Sequence, residues 1–178
     1  TALKHANPFK TVLGFASVRD EKGEEMHKSK GNAIEFNEAA DKIGVDVMRW
    51  MYVRTNPEHN VNFGYNVADE IRRLFHLRLW NVYVFFVTYA SVDKWMPTKA
   101  EWKPKHVLDR WILSRMHGNI KNITVGNEKD PENDKGLINY NTYDAAGNAE
   151  IFIISDLSTW YVRRIRNRVG VDVQHEED

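Results

Sequence analysis

The chain has 178 residues, 42% of them hydrophobic and 12% aromatic, so it can bury a core, and wholesale disorder is excluded. Its 25 basic residues balance 25 acidic ones, which argues against a uniformly basic nucleic-acid binder but leaves room for a local basic face. The absence of cysteine excludes disulfide frameworks and thiolate zinc sites, the seven histidines form no metal-ligand cluster, and no uncharged apolar run reaches the about 18 residues of a membrane span.

Thr1-Ala2-Leu3-Lys4-His5 offers neither an initiator methionine nor a signal-peptide core, and reads as the start of a piece cut from a longer protein. Thr11 to Val18 is apolar and β-branched and runs into Asp20-Glu21-Lys22-Gly23, a strand entering a hairpin or loop. Glu24 to Asn32 is polar, contains Gly31 and shows neither helical nor strand period, so it is a loop. Asn37 as N-cap and Gly44 past the last turn bracket a short helix from Glu38 to Ile43. Asp46 can cap a second helix to about Arg54, where Asn56-Pro57 ends it.

From Asn66 a long helix runs to Ala90, with Ile71, Leu74, Phe75, Leu79, Val82 and Phe85 at the spacing of one helical face. Beyond Leu77, Trp80, Tyr83, Val84 and Val87 add a second apolar side, which predicts burial nearly all round. Lys94 to Lys105 holds Pro97 and Pro104 and is a connection. A second long helix spans His106 to about Ile123, with Val107, Trp111, Met116 and Ile120 at apolar positions. Trp80 and Trp111 are both expected in the core. Gly126 to Asn141 is an exposed loop. A third helix runs from Tyr143 to about Val169, its first turns weakened by Gly147, and Glu176 to Asp178 frays. The fold class is therefore mainly α: a short α/β remnant, then an antiparallel bundle of three long helices.

Met26-His27-Lys28-Ser29-Lys30-Gly31-Asn32 is the stretch with chemistry. An ammonium is a compact charge for phosphate oxygens, and a hydroxyl with backbone N–H groups adds neutral donors, so Lys28 and Ser29 suit a polyphosphate. A solvated basic loop is the other reading, and for Lys-Ser-x-Gly taken alone it is the commoner one. Near the other end, Trp160 to Arg168 holds Arg163, Arg164, Arg166 and Arg168 and no acid. These arginines suit RNA phosphates, yet at helical spacing they fan around the axis, so salt bridges to acids such as Asp156 compete equally. Trp160 and Tyr161 can stack on bases or serve the core, the commoner fate of an aromatic on an amphipathic helix. Lys94, Lys99, Lys103 and Lys105, interleaved with Trp95 and Trp102, form a second basic stretch that reads first as a solvated linker.

Context narrows the first motif. MHKSKGN, preceded by a strand and Asp-Glu-Lys-Gly and followed by Gly44-x-Asp46-x-x-Arg49, resembles the KMSKS segment of class I aminoacyl-tRNA synthetases through Met26, Lys28, Ser29, Gly31 and Asn32. Glu25 and His27 stand where that motif has its first Lys and first Ser. Lys10 to Phe15 (KTVLGF), Leu79 to Tyr83 (LWNVY), Leu108 to Arg115 (LDRWILSR) and Asp156 to Arg164 (DLSTWYVRR) are similar, in order, to isoleucyl-tRNA synthetases. The last of these sets them apart from the valyl and leucyl enzymes. The resemblance spans nearly the whole chain and thins between about Gly118 and Ser155.

The resemblance implies that residues 1–65 end a Rossmann-type class I catalytic domain with its junction, and that 66–178 form an anticodon-binding helical bundle. It implies ATP-dependent activation of isoleucine and transfer to tRNA in the cytoplasm, with Mg-bound ATP as substrate, tRNA(Ile) as partner and no membrane. Lys28 becomes the catalytic residue, stabilising the triphosphate and the departing pyrophosphate. Met26, His27, Ser29 and Asn32 join it as ATP-binding residues, and Trp160, Arg163, Arg164 and Arg166 as tRNA-binding ones. The family's His-rich ATP motif and isoleucine pocket are absent from these residues, so isoleucine would be met only through an N-terminal part, and this piece is expected to be inactive alone. Two other readings stand beside this one: a non-catalytic tRNA-binding helical module derived from such an enzyme, and a structural helical domain with no ligand.

Overall fold

The computed structural model describes residues 7–10, 12–97, 103–130 and 135–169. The fold is mainly α, as the periodicity predicts. Among the described residues the β structure is one parallel pair, β1 (Val18–Arg19) and β2 (Val61–Asn62), with an antiparallel bridge from Arg19 to Glu25. The strand predicted over Thr11 to Val18 is therefore not formed: Thr11 lies outside the described residues, and Val12, Leu13 and Phe15 are strongly exposed with no ladder. Strand propensity measures fit to a pleated, half-buried surface, and no neighbouring strand supplies that surface here. Single bonds hold the segment instead, Ala16 N–H to the Pro57 carbonyl at 2.8 Å and Ser17 N–H to Asn60 Oδ1 at 3.1 Å.

Helices α1 (Phe36–Ile43) and α2 (Val45–Arg54) follow. Glu35, rather than Asn37, caps α1: its carboxylate accepts the Glu38 N–H at 3.1 Å, while Asn37 lies inside the first turn and donates to Glu35 at 3.2 Å. The helix starts at Phe36, two residues earlier than the sequence suggests, so Glu35 is the residue at the N-cap and takes the free N–H three residues on. Gly44, at φ 89°, turns the chain between the two helices and donates to the Ala40 carbonyl. Ala39 and Ile43 of α1, Val47, Met48 and Met51 of α2, Phe63 and Ala68 form one buried core.

Ala68 belongs to α3 (Tyr65–Ile71), which continues through a π-helical stretch, Arg72–His76, into α4 (Leu77–Val92). Arg72 donates to the Ile43 and Lys42 carbonyls at 2.5 and 3.3 Å, closing the end of α1. The start of α3 is capped from a distance: the Glu21 carboxylate accepts the Asn66 N–H at 2.6 Å, the Asn66 side chain at 2.8 Å and the Val67 N–H at 3.3 Å. Glu21 lies so close over Gly64 that an added Cβ would sit 2.1 Å from its Cγ. Gly64→Ala therefore displaces the cap, and the expected loss is about 1 kcal/mol, the worth of an N-cap. Glu21→Ala removes the same contact, so the double variant should lose no more than either single one in thermal melting; additive losses would show that the two act separately.

Helix α5 (Val107–Val125) starts at His106, whose Nδ1 accepts the Leu108 N–H at 3.2 Å. The last helix begins as α6 (Thr142–Ile151), passes through a π-helical stretch, Phe152–Val162, and ends in α7 (Arg163–Ile165) and a 3₁₀ turn, Arg166–Arg168. Gly147 does not interrupt it: the Arg54 guanidinium lies 3.8–4.0 Å from where its Cβ would be. Arg54 also pairs with Glu150 and sits 5.3 Å over the Tyr143 ring, so α2 is tied directly to α6.

The last helix lies antiparallel to α5, as Trp111 against Trp160 and Arg115 against Asp156 show. On its other side it meets α4, where Val82, Phe85 and Tyr89 face Leu157, Tyr161 and Val162. The long helices thus form a layer centred on the last one. This overturns the expectation that the second half of the long helix is buried nearly all round. Trp80 is 59% exposed, and Tyr83 and Phe86 are each 53% exposed, so Trp80 is not a core residue; Trp111 is half-buried. A layer covers each outer helix on one side, and α4 is an outer helix.

Candidate functional site

The Lys28 segment is a loop pinned at both ends. Asp20 Oδ1 accepts the N–H groups of Lys22 at 3.0 Å and Glu24 at 2.8 Å, and Oδ2 accepts the Asn32 amide at 2.9 Å. That amide also donates to the Glu25 carbonyl at 3.1 Å, and Asn32 Oδ1 accepts the His27 N–H at 2.9 Å. The Asn32 hydrogen bond, with those from Glu24 and Lys22, holds the Asp20 carboxyl below its ordinary range. Met26 and Ile34 pack against the α1–α2–α3 core. Between these anchors the chain makes a single 3₁₀ turn, Lys28–Lys30, closed by Gly31 at φ 69°.

Lys28, Ser29 and Lys30 are all exposed at the tip, and no carboxylate among the described residues pairs with Lys28. Glu25, which stands where the resembled motif has a lysine, lies 3.7 Å from Arg19 and 3.5 Å from His27. Arg19 is thus the cation nearest Glu25, and Lys28 has no carboxylate partner among the described residues. A free ammonium and a hydroxyl on a fixed turn can meet a phosphate chain. The structure brings Met26, His27, Lys28, Ser29 and Asn32 into this one loop but divides their work: Asn32 and Met26 hold it, whereas Lys28 and Ser29 face solvent.

The four arginines of the last helix do not share one fate. Arg168 is structural. Its guanidinium donates to both oxygens of Asp109 at 2.8 and 2.7 Å, and Tyr161 donates to the same carboxylate at 2.9 Å. Asp109 is only 6% exposed, and Arg168, then Tyr161, hold its carboxyl below the ordinary range. Burial, then the Asp109 carboxylate, pushes the Tyr161 hydroxyl up to about 12. Tyr161, read as a residue able to stack on bases, is thus half-buried with its hydroxyl bound to α5.

Asp156, the acid expected to pair with these arginines, is instead bound by Arg115 at 2.8 Å. It projects toward α5, out of reach of the helix end. Arg163 and Arg166 are exposed and have no ion-pair partner among the described residues. Arg164 stacks on Trp160, with the guanidinium carbon 3.3 Å from the ring centroid, and Trp160 is 43% exposed. Of the second basic stretch, Lys94 and Lys103 are exposed and Trp95 packs edge-on to Phe86 at 5.8 Å, while Lys99 and Trp102 lie outside the described residues.

Sequence reasoning missed the Glu21 cap and the Asp109–Tyr161–Arg168 lock. Glu21 sits in the Asp-Glu-Lys-Gly turn and reads as a surface residue. The one signal for the lock was an acid, Asp109, on the apolar side of α5 one turn from Ile112. Among the described residues no group of three His, Cys, Asp or Glu could hold a metal ion, and no helix is long and apolar enough to cross a membrane.

A family profile described as tRNA synthetases class I (I, L, M and V) matches residues 1–64. The isoleucine–tRNA ligase of Thermus thermophilus is 39% identical over 90% of this chain and 15% of its own length. That of Thermococcus kodakarensis is 38% identical over 93% of this chain and 15% of its own length. That of Clostridium tetani is 34% identical over 99% of this chain and 16% of its own length. The chain spans about 15% of the length of the curated relatives it matches. With a class I profile over residues 1–64, which hold the Lys28 loop and α1–α2, and isoleucine–tRNA ligases 34–39% identical over 90% or more of its length, the chain is similar to a segment of the class I tRNA synthetases and of their isoleucine–tRNA ligases in particular.

Proposed function

We propose that the chain supplies two parts of an isoleucine–tRNA ligase: the loop that handles the ATP phosphates, in residues 1–65 at the end of the catalytic domain, and an anticodon-binding helical bundle in 66–178. The observation that carries this is the exposed Lys28, without a carboxylate partner among the described residues, at the tip of a loop anchored by Asn32 and Met26. Activation of isoleucine by ATP builds negative charge on the departing pyrophosphate, so an ammonium held there stabilises the transition state more than the ground state. Lys28 carries that charge, Ser29 and His27 add neutral donors, and Asn32 and Met26 position the turn. Magnesium travels with the ATP and neutralises phosphate charge. The lack of cysteine is in keeping with work in the cytoplasm.

This loop is only part of an ATP site, and no His-x-Gly-His segment or isoleucine pocket accompanies it in these residues. The 178-residue chain by itself should give no isoleucine-dependent ATP–pyrophosphate exchange above a no-enzyme control. Exchange that disappears with Lys28→Ala would overturn the division of labour proposed here.

The tRNA part rests on the Trp160–Arg164 stack, a flat face for an unpaired base, and on Arg163 and Arg166 for phosphates. Replacing Arg163 and Arg166 with alanine should flatten the log–log salt dependence of tRNA binding by about one to two units, since each lost phosphate contact removes roughly 0.7–0.9. Because both side chains are exposed and have no ion-pair partner among the described residues, the melting temperature should stay within about 2 °C. A fall in stability with an unchanged salt slope would make them structural and remove the RNA role.

A further inference from the structure

Two consecutive carboxylates leave the turn before Lys28 in different directions. Glu21 reaches α3, where it accepts the Asn66 and Val67 N–H groups and the Asn66 side chain. On the other side of Asp20, the Arg19 carbonyl of β1 accepts the Phe63 N–H at 2.8 Å. The backbone of Asp20 is thus fixed through both neighbours, one bound beside β2 and one bound to a helix. Its own carboxylate turns into the loop, and its three hydrogen bonds come from Lys22, Glu24 and Asn32.

From Asn32 the frame continues without a break. The amide that Asp20 Oδ2 holds at 2.9 Å also binds the Glu25 carbonyl and the His27 N–H. The 3₁₀ turn Lys28–Lys30 is therefore spanned, from His27 on one side to Asn32 on the other, by one side chain. Beyond Met26, packing gives this turn little support. A cavity of about 430 Å³ opens between Lys30 and the start of α3, with Asn32, Ile34, Phe63 and Tyr65 on its walls. Where side chains do not fill the space, hydrogen bonds decide where a turn rests.

We propose that Asp20 is a positioning residue for the phosphate chemistry: without meeting the nucleotide, it sets through the Asn32 amide where the Lys28 turn stands relative to β1 and α3. The inference rests on the reading of Lys28 as the cation that meets the ATP phosphates. It requires an effect opposite in sign to simple electrostatics. A carboxylate near a phosphate site repels the phosphates, so removing its charge should by itself favour ATP. Removing a positioning contact should slow the reaction, because misplacing a reacting group by about 1 Å costs on the order of 10²-fold.

Isoleucine-dependent ATP–pyrophosphate exchange in an intact ligase bearing this segment tests this. Asp20→Asn should lower kcat about 10–100-fold and move the KM for ATP by less than about threefold. Asn32→Asp sets two carboxylates against each other and should slow exchange at least as much. The double variant Asp20→Asn/Asn32→Asp restores a donor facing an acceptor with the roles exchanged, and should recover at least about tenfold over Asn32→Asp. Glu24→Gln removes a charge from the same turn, at a carboxylate with no hydrogen-bond or ion-pair partner among the described residues, and should stay within about twofold of the parent. In the 178-residue chain, trypsin should cut after Lys28 or Lys30 at least about fivefold faster in Asp20→Asn than in the parent or the double variant, with helicity by circular dichroism unchanged. A parent-like or faster exchange rate for Asp20→Asn beside a slow Lys28→Ala overturns the proposal and leaves the phosphate reading standing, as does a double variant no better than Asn32→Asp. A parent-like rate for Lys28→Ala overturns both.

Discussion

Lys28→Ala, made in an intact ligase bearing this segment, should slow isoleucine-dependent ATP–pyrophosphate exchange about 10²–10³-fold, the effect of losing one preorganised charge donor. The argument runs through the anchors of the loop. Asn32 ties Asp20, the Glu25 carbonyl and the His27 N–H together, and Met26 fills the core beneath, so truncating an exposed lysine removes charge and leaves the turn standing. The KM for ATP should change much less than kcat, because the ammonium meets its full complement of negative charge only as pyrophosphate departs. Lys28→Arg should recover part of the rate, since it keeps the charge but spreads it over a planar fork. An exchange rate equal to that of the parent would remove Lys28 from the chemistry.

Asp109→Ala should cost about 2–3 kcal/mol of stability. Breaking a buried ion pair commonly costs about 3–5 kcal/mol; the lower figure applies because the Arg168 side chain is 39% exposed and can return to water. Tyr161 cannot do so as readily, and its hydroxyl loses its acceptor. For a chain of this length the melting temperature should fall by about 5–10 °C.

The pH dependence follows from the same three residues. Asp109 titrates below its ordinary 3.8 in the folded chain, so its contribution is present above that value and is lost as pH falls through the lowered one. Tyr161 is raised from 10.0 to about 12, so its contribution is full below pH 10.0 and is lost as pH rises toward 12. Asp109→Ala should flatten both limbs of the stability profile, whereas Tyr161→Phe should remove the alkaline limb and only part of the acid one, because Arg168 still holds the Asp109 carboxyl down. A melting curve for Asp109→Ala that overlays the parent's would dissolve the lock.

How much of this was legible in the sequence depends on the range of the interaction involved. A polar run without period and ending in glycine is a statement about neighbouring residues, and it led correctly to an exposed turn around Lys28. Gly44 between two helices, the Asn56-Pro57 stop after Arg54 and the start at His106 are signals of the same local kind. Each acts within a turn or two of the backbone it shapes, and each was readable.

The lock, the cap and the exposed face of α4 are not local. Asp109 and Arg168 are 59 residues apart, Glu21 and Asn66 are 45 apart, and no pattern near either end names the other. The arginines of the last helix looked alike in the sequence, and only their position on the packed helix separated Arg168, bound to Asp109, from the exposed Arg163 and Arg166. Val12, Leu13 and Phe15 had the chemistry of a strand but no neighbour to pair with. Trp80, Tyr83 and Val84 carried the chemistry of burial, and the layered packing left them on an outer face. By itself the sequence determined which segments are helical, where they stop and which loop exposes Lys28 and Ser29, because propensity, capping and turn formation are decided among neighbours in the chain. Only the tertiary structure decided which faces are covered and which charges are neutralised, because burial and ion pairing depend on what other elements occupy the surrounding space.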